Sequence, residues 1–146
     1  MAVTLEVFAQ RFASLKDFTI QEMNRILKEK HALVEEMQRK RLSQGKNVKD
    51  KTIQKGYSPG YAKRRKKRGL QTNYVDLNFT GEFYESLELK ELPTPGEFET
   101  VSYVDHAKYI LDRYIGVLGI NPEDIKLLRK IIIDELNKSV KKYLVG

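Results

Sequence analysis

Residues Val75–Leu89, VDLNFTGEFYESLEL, constrain the fold more than any other stretch. A strand-like start, a helix cap and a second strand-like start fall within one short run. Thr80 is placed to accept a hydrogen bond from backbone N–H groups of the next turn, as N-cap residues do. Phe79, Phe83, Tyr84 and Leu87 supply apolar anchors near helical spacing. Glu85-Ser86-Leu87-Glu88-Leu89 then alternates as a strand does. The chain before this stretch reads as helical or as basic and loose; the chain after it reads as a hairpin and then helices.

Thr4 is a candidate cap for a first short helix, because Leu5, Phe8, Phe12 and Leu15 recur on one stripe. Thr19-Ile20-Gln21-Glu22 matches a capping box, with Phe18 and Met23 placed as its hydrophobic staple. The helix predicted from it runs to about Leu42, where Gly45 stops it, and would be roughly 35 Å long. Met23, Ile26, Leu27, Leu33, Val34 and Met37 form its narrow stripe, with Lys30 on the same face and His31 off it as a solvated residue. After the central stretch, Leu87–Lys90 and Phe98–Tyr103 alternate around the Pro95-Gly96 turn signal, which predicts a β-hairpin. Asp105 is then placed to cap a helix with Ala107, Ile110, Leu111 and Tyr114 inward and Gly116 as its stop.

Asn121-Pro122-Glu123-Asp124 is a strong helix start: a cap, a proline at the first position, and acids in the first turn. The predicted helix spans about Pro122 to Tyr143. Its apolar residues cover more than half of the circumference, which a chain of this size rarely buries by itself. Either the helix is central to the core or part of it packs on another subunit, with Ile132, Ile133, Leu136 and Val140 as the candidate subunit-contact residues.

Net charge is +7, but one segment carries it. Lys46–Arg68 holds ten basic residues and one acid, a net of +9; the remaining 17 basic and 19 acidic residues sum to −2. Few apolar residues and several breakers in this region predict a basic extended loop over 45–72. Lys63, Arg64, Arg65, Lys66, Lys67 and Arg68 form an unbroken basic block. Such a block either contacts nucleic-acid phosphates or an acidic protein surface, or simply solvates a loop; six in a row exceeds what solubility requires. Tyr57 and Tyr61 are better placed to pin this loop to the core than to stack on bases.

With 146 residues the chain is expected to be one domain: a helical arm over 1–44, the basic loop over 45–72, and sheet and C-terminal helices over 73–146. The expected fold class is α+β, with N-terminal helices, a small antiparallel sheet with its hairpin near 87–103, and a long C-terminal helix. Zero cysteines exclude disulfides and thiolate metal sites, and two histidines make a multi-histidine site unexpected. The start, MAVTLEVFAQRF, has no apolar signal-peptide region, and no run of 18 apolar residues predicts a membrane span. No Gly-rich phosphate loop or nucleophile elbow occurs, and Asp105, His106 and Asp112 have no supporting metal motif. The reading is therefore of a non-enzyme without cofactors, a metal-dependent nuclease being the distant third possibility.

Three segments occur in a telling order. Tyr57-Ser58-Pro59-x-Tyr61-Ala62 precedes a basic stretch; Leu77-x-x-Thr80-Gly81-x-Phe83-x-x-Ser86 comes next; then a hairpin leads to Tyr103-Val104-Asp105-His106-Ala107-Lys108-Tyr109-Ile110 and Gly116. This order, over roughly Gly45 to Leu144, resembles the tail-completion and head–tail connector proteins of tailed bacteriophages. The family's last segment leads into a Pro-Ala-Arg-Pro-Phe-like loop, where this chain has Gly116–Pro122. The resemblance implies an N-terminal helix, a small antiparallel sheet and a C-terminal helix. It also implies a virion structural protein assembled in the host cytoplasm into a homo-oligomeric neck or tail-completion ring, beside portal, neck or tail proteins and in reach of packaged DNA. The alternative is a nucleic-acid-binding module that uses Lys63–Arg68 on phosphates, its log–log salt slope near −0.9 for each phosphate contacted.

Overall fold

The computed structural model of the chain describes residues 2–146. Helix α1 (Leu5–Ala13) starts where expected, the Thr4 hydroxyl accepting from the Val7 N–H at 3.3 Å. Helix α2 (Leu15–Glu29) begins four residues before the expected capping box. Thr19 lies inside it and donates its hydroxyl proton back to the Leu15 carbonyl at 2.8 Å, a mid-helix use of threonine. Helix α3 (His31–Ser43) comes after a break at Lys30, so the single long helix expected over 19–42 is two. Gly45 ends α3 as expected: its N–H bonds the Leu42 carbonyl and the Lys46 N–H bonds that of Arg41, the paired pattern of a Schellman motif.

Within 45–72, read from sequence as an extended loop, Pro59–Lys67 forms helix α4. Ser58 caps it, its hydroxyl accepting from the Tyr61 N–H, and Pro59 occupies the first turn. At the other end the Gly69 N–H bonds the Lys66 carbonyl and the Leu70 N–H bonds that of Arg65, the same pairing as at Gly45.

Val75–Phe79 is irregular rather than a strand and leads into a single helical turn, α5 (Glu82–Glu85). The expected hairpin is present: β1 (Leu87–Glu91) and β2 (Phe98–Ser102) pair antiparallel, with Leu87 opposite Ser102 and Glu91 opposite Phe98. Two strands alone are marginal in water. Here β1 rests on α3, where the Glu35 carboxylate accepts from the Leu89 N–H and Arg39 donates to the Tyr84 carbonyl. The turn is held from α2, Asn24 accepting from the Gly96 N–H at 2.8 Å.

Helix α6 (Ala107–Arg113) begins after His106, not Asp105, and has no side-chain cap. Helix α7 (Pro122–Val145) starts as expected, with the Asn121 side chain accepting from the Asp124 N–H at 2.7 Å. The chain is thus mixed α+β and mostly helical: seven helices and one two-stranded sheet among the described residues.

Two regions result. In the head, Leu42, Ile53, Val75, Leu77, Phe83, Leu87, Ala107, Tyr114 and Val117 pack into one buried cluster. The arm joins α1, α2 and α7. Helix α2 runs antiparallel to α7, Phe18 stacking on Tyr143 at 3.9 Å between ring centres and Lys30 pairing with Glu135 at 2.7 Å. Only Ile26 of α2 and Leu128 of α7 are buried, and no residue of α1 is. The broad apolar surface of α7 is therefore not central to the core: Ile133 stays exposed, and Ile132, Leu136 and Val140 are half-buried.

Candidate functional site: an aromatic cavity beside a basic helix

The basic block does not act as one surface. A helix turns 100° per residue, so six consecutive cations on α4 and its C-cap must point in all directions, one of them inward. That one is Arg65, 0% exposed. Its guanidinium donates to the Gln71 carbonyl at 3.0 Å, to the Asn78 carbonyl at 3.0 Å, and to both oxygens of the Asp76 carboxylate at 2.9 and 3.2 Å. It also lies 4.4 Å from the centre of the Tyr57 ring. Arg65 is therefore removed from the candidate partner contacts, while Lys63, Arg64, Lys66, Lys67 and Arg68 remain exposed.

Asp76 is the hub around Arg65. Its carboxylate also accepts from the Tyr57 hydroxyl at 2.9 Å, the Gln71 amide at 2.8 Å and the Asn78 N–H at 3.0 Å. Its own N–H donates to the Tyr57 oxygen, and the Tyr84 hydroxyl donates to its carbonyl. Burial pushes the phenols of Tyr57 and Tyr84 well above the ordinary tyrosine range, and the Asp76 charge adds to it. Both rings thus hold their protons and serve as donors. Tyr57 pins the segment to the core, as expected from sequence. Asp76 has no local pattern that marks it; its importance comes from partners brought to it by the fold.

The central motif builds this same corner. Leu77 and Phe83 are core residues. Leu77 takes a positive φ of 60°, a conformation that costs a branched side chain on the order of 1–2 kcal/mol and persists where the surroundings impose it. The Thr80 hydroxyl accepts from the Glu82 N–H, and Gly81, at φ 91°, caps α5. Ser86 donates to the Phe83 carbonyl at 2.8 Å and shares a 2.6 Å hydrogen bond with Ser102 across the hairpin.

Between α4, the central motif and α6 lies a cavity of about 590 Å³, within the roughly 300–1,000 Å³ range of ligand-sized pockets. Tyr57, Tyr61, Phe79, Phe83, Tyr109 and Tyr114 give it an aromatic wall. Tyr57 meets Tyr61 edge-on at 5.2 Å, and Tyr61 meets Phe79 at 5.5 Å. Arg68 and Arg64 lie over Phe79 at 4.4 and 5.8 Å, and Arg113 lines the cavity beside Tyr114. His106 also lines the cavity, whereas Asp105 and Asp112 do not. No three His, Asp or Glu side chains among the described residues cluster as metal ligands do. What the cavity offers chemically is a π-rich, apolar seat with cations at its edge.

A second buried arginine, Arg41, was not marked by sequence either. It donates to the Val117 carbonyl at 2.8 Å and the Gly119 carbonyl at 2.9 Å, tying the turn before α7 to α3. Desolvation lowers its guanidinium pKa below the ordinary value, which the charges of Asp124 and Asp50 partly oppose.

No family model, curated protein or solved structure matches this chain. Among the described residues no helix is long and apolar enough to cross a membrane.

Proposed function

We propose that this chain is a structural virion protein, one subunit of a homo-oligomeric ring at a phage neck or tail-completion site, next to portal, neck or tail proteins. The observation that carries this reading is the uncovered apolar surface of the arm. Leu5, Phe8 and Phe12 of α1 and Ile125, Leu127 and Ile133 of α7 are exposed. The resemblance adds to it: the three segments that carry it, from Tyr57, Leu77 and Tyr103 onward, wall one cavity although they are far apart in sequence. The test is solution mass by light scattering across concentration, at low and high salt, alone and with portal and tail components. A discrete oligomer that persists in salt is expected. A 17.0 kDa monomer throughout, with no co-assembly, would sink the proposal.

The second reading, a nucleic-acid contact, is favoured by the five cations left exposed on and beside α4. With Arg65 buried, this surface contacts at most five phosphates. The log–log salt slope for duplex DNA should then be no steeper than about −4.5. DNA retardation that is unchanged when Lys63, Arg64, Lys66, Lys67 and Arg68 become alanine would exclude α4 as the contact.

A further inference from the structure

Of the apolar surfaces that one chain leaves uncovered, two lie toward opposite ends of α7. The first is the stripe of α1, where Leu5 is 81% and Phe12 61% exposed. The second is the aromatic cavity, whose mouth carries Tyr109, 74% exposed. Helix α1 leans on the last turns of α7: Ser14 bonds the Tyr143 hydroxyl and Arg11 reaches the Leu144 carbonyl. The cavity wall α6 instead leads, through residues 114–121, into the first turn of α7. The 24 residues of α7 span about 36 Å at 1.5 Å each. The stripe of α1 therefore cannot fill the cavity of its own chain while the arm stays folded.

We infer that α1 of one subunit seats its Leu5–Phe8–Phe12 stripe in the aromatic cavity of the next, as a head-to-tail joint. The inference rests on the ring reading and names the two surfaces that make the ring. Leu5, Phe8 and Phe12 fall at i, i+3 and i+7, the anchor spacing of a helix laid in a groove. Aromatic anchors meet an aromatic wall, where offset and edge-on ring pairs add to simple burial. Charge agrees: Glu6 stands in the first turn of α1 and the one cation of α1, Arg11, is turned to the Leu144 carbonyl of α7, while Arg64, Arg68 and Arg113 border the cavity and, among the described residues, Glu82 is the one acid that lines it. Symmetry agrees as well. A contact between two different surfaces repeats from copy to copy and makes a ring where its rotation closes, whereas an isologous arm-to-arm contact stops at a dimer.

The experiment is a complementation by mass. One variant removes the stripe, Leu5→Asp with Phe12→Asp; the other alters the cavity mouth, Tyr109→Asp with Arg113→Glu. All four positions are exposed, and circular dichroism of each variant checks that the fold is kept. Each variant alone is expected to scatter as a 17.0 kDa monomer. Their equimolar mixture is expected to give a species of twice that mass and nothing larger, because one intact stripe then meets one intact cavity. A cavity variant that keeps the wild-type assembly overturns the joint, as does a mixture of two monomeric variants that stays monomeric. A wild-type chain that is monomeric at every concentration, alone and with portal and tail components, overturns the ring reading itself.

Discussion

The head and the arm use similar apolar residues on different terms. In the head, nine buried side chains from separate segments share one cluster, and two buried arginines tie loops to helices. In the arm, three helices leave much of their apolar surface to solvent: α1 buries no residue, and α2 and α7 bury one each. The difference separates what holds the chain together from what it presents. Stability is concentrated where segments from across the chain converge, and surface left over in the arm is available to a neighbour.

The largest expected effect is in the head. Arg65→Ala strips the Asp76 carboxylate of its guanidinium and should cost about 3–5 kcal/mol in urea unfolding, as breaking a buried pair does. Arg64→Ala, one residue away and exposed, should stay within about 0.5 kcal/mol. Equal unfolding midpoints for the two would refute the assignment of Arg65 as the pin.

Next comes the direct contrast between regions. Leu42→Ala, in the head core, should cost about 2–5 kcal/mol, while Phe12→Ala on α1 should be near neutral in the monomeric chain. A large cost for Phe12→Ala in a monomer would show that the arm covers its own stripe.

Tyr57→Phe should cost about 1–2 kcal/mol, because the Asp76 N–H and carboxylate each lose a partner. It also carries a pH signature. The Tyr57 and Tyr84 phenols titrate higher folded than unfolded, so above about pH 10 the unfolded chain releases protons that the native state keeps. Their contribution is fully present below that pH and is lost as pH rises through the alkaline range. Stability measured from pH 9 to 12 should fall less steeply in Tyr57→Phe than in wild type; parallel curves would exclude this linkage.

The smallest effect belongs to the arm's ion pair. Glu135→Gln should change stability by about 0.5 kcal/mol, since Lys30 and Glu135 are each about one-third exposed. A loss several times larger would mean that this pair, and not the packing of α2 on α7, holds the arm.

Local signals were legible wherever a partner lay within a few residues. Thr4, Asn121-Pro122 and Gly45 each mark a helix end by hydrogen bonds that close over three to five positions, and the hairpin is evident from alternation around Pro95-Gly96. The same punctuation frames α4, with Ser58-Pro59 before it and Gly69 after it. It passes unread there because PGYAKRRKK has no apolar stripe between its caps, and periodicity is the signal on which a helix is usually recognised. At Thr19 the error runs the other way: a good capping pattern sits inside a helix because nothing between Leu15 and Thr19 breaks the one already begun.

By itself the sequence determined the places where elements start and stop, the hairpin, the segregated charge and the excess of apolar surface in the arm. All of these depend on contacts between near neighbours or on composition. The tertiary structure alone decided that Arg65 is buried among five exposed cations, because the chain after α4 folds back to bring its partner Asp76 to it from 11 positions on. It likewise decided that Arg41 reaches carbonyls 76 and 78 positions on, and that segments starting at Tyr57, Leu77 and Tyr103 enclose one cavity. An inward or outward side chain is chosen by what packs opposite it, and that is set by the whole fold rather than by the residues on either side.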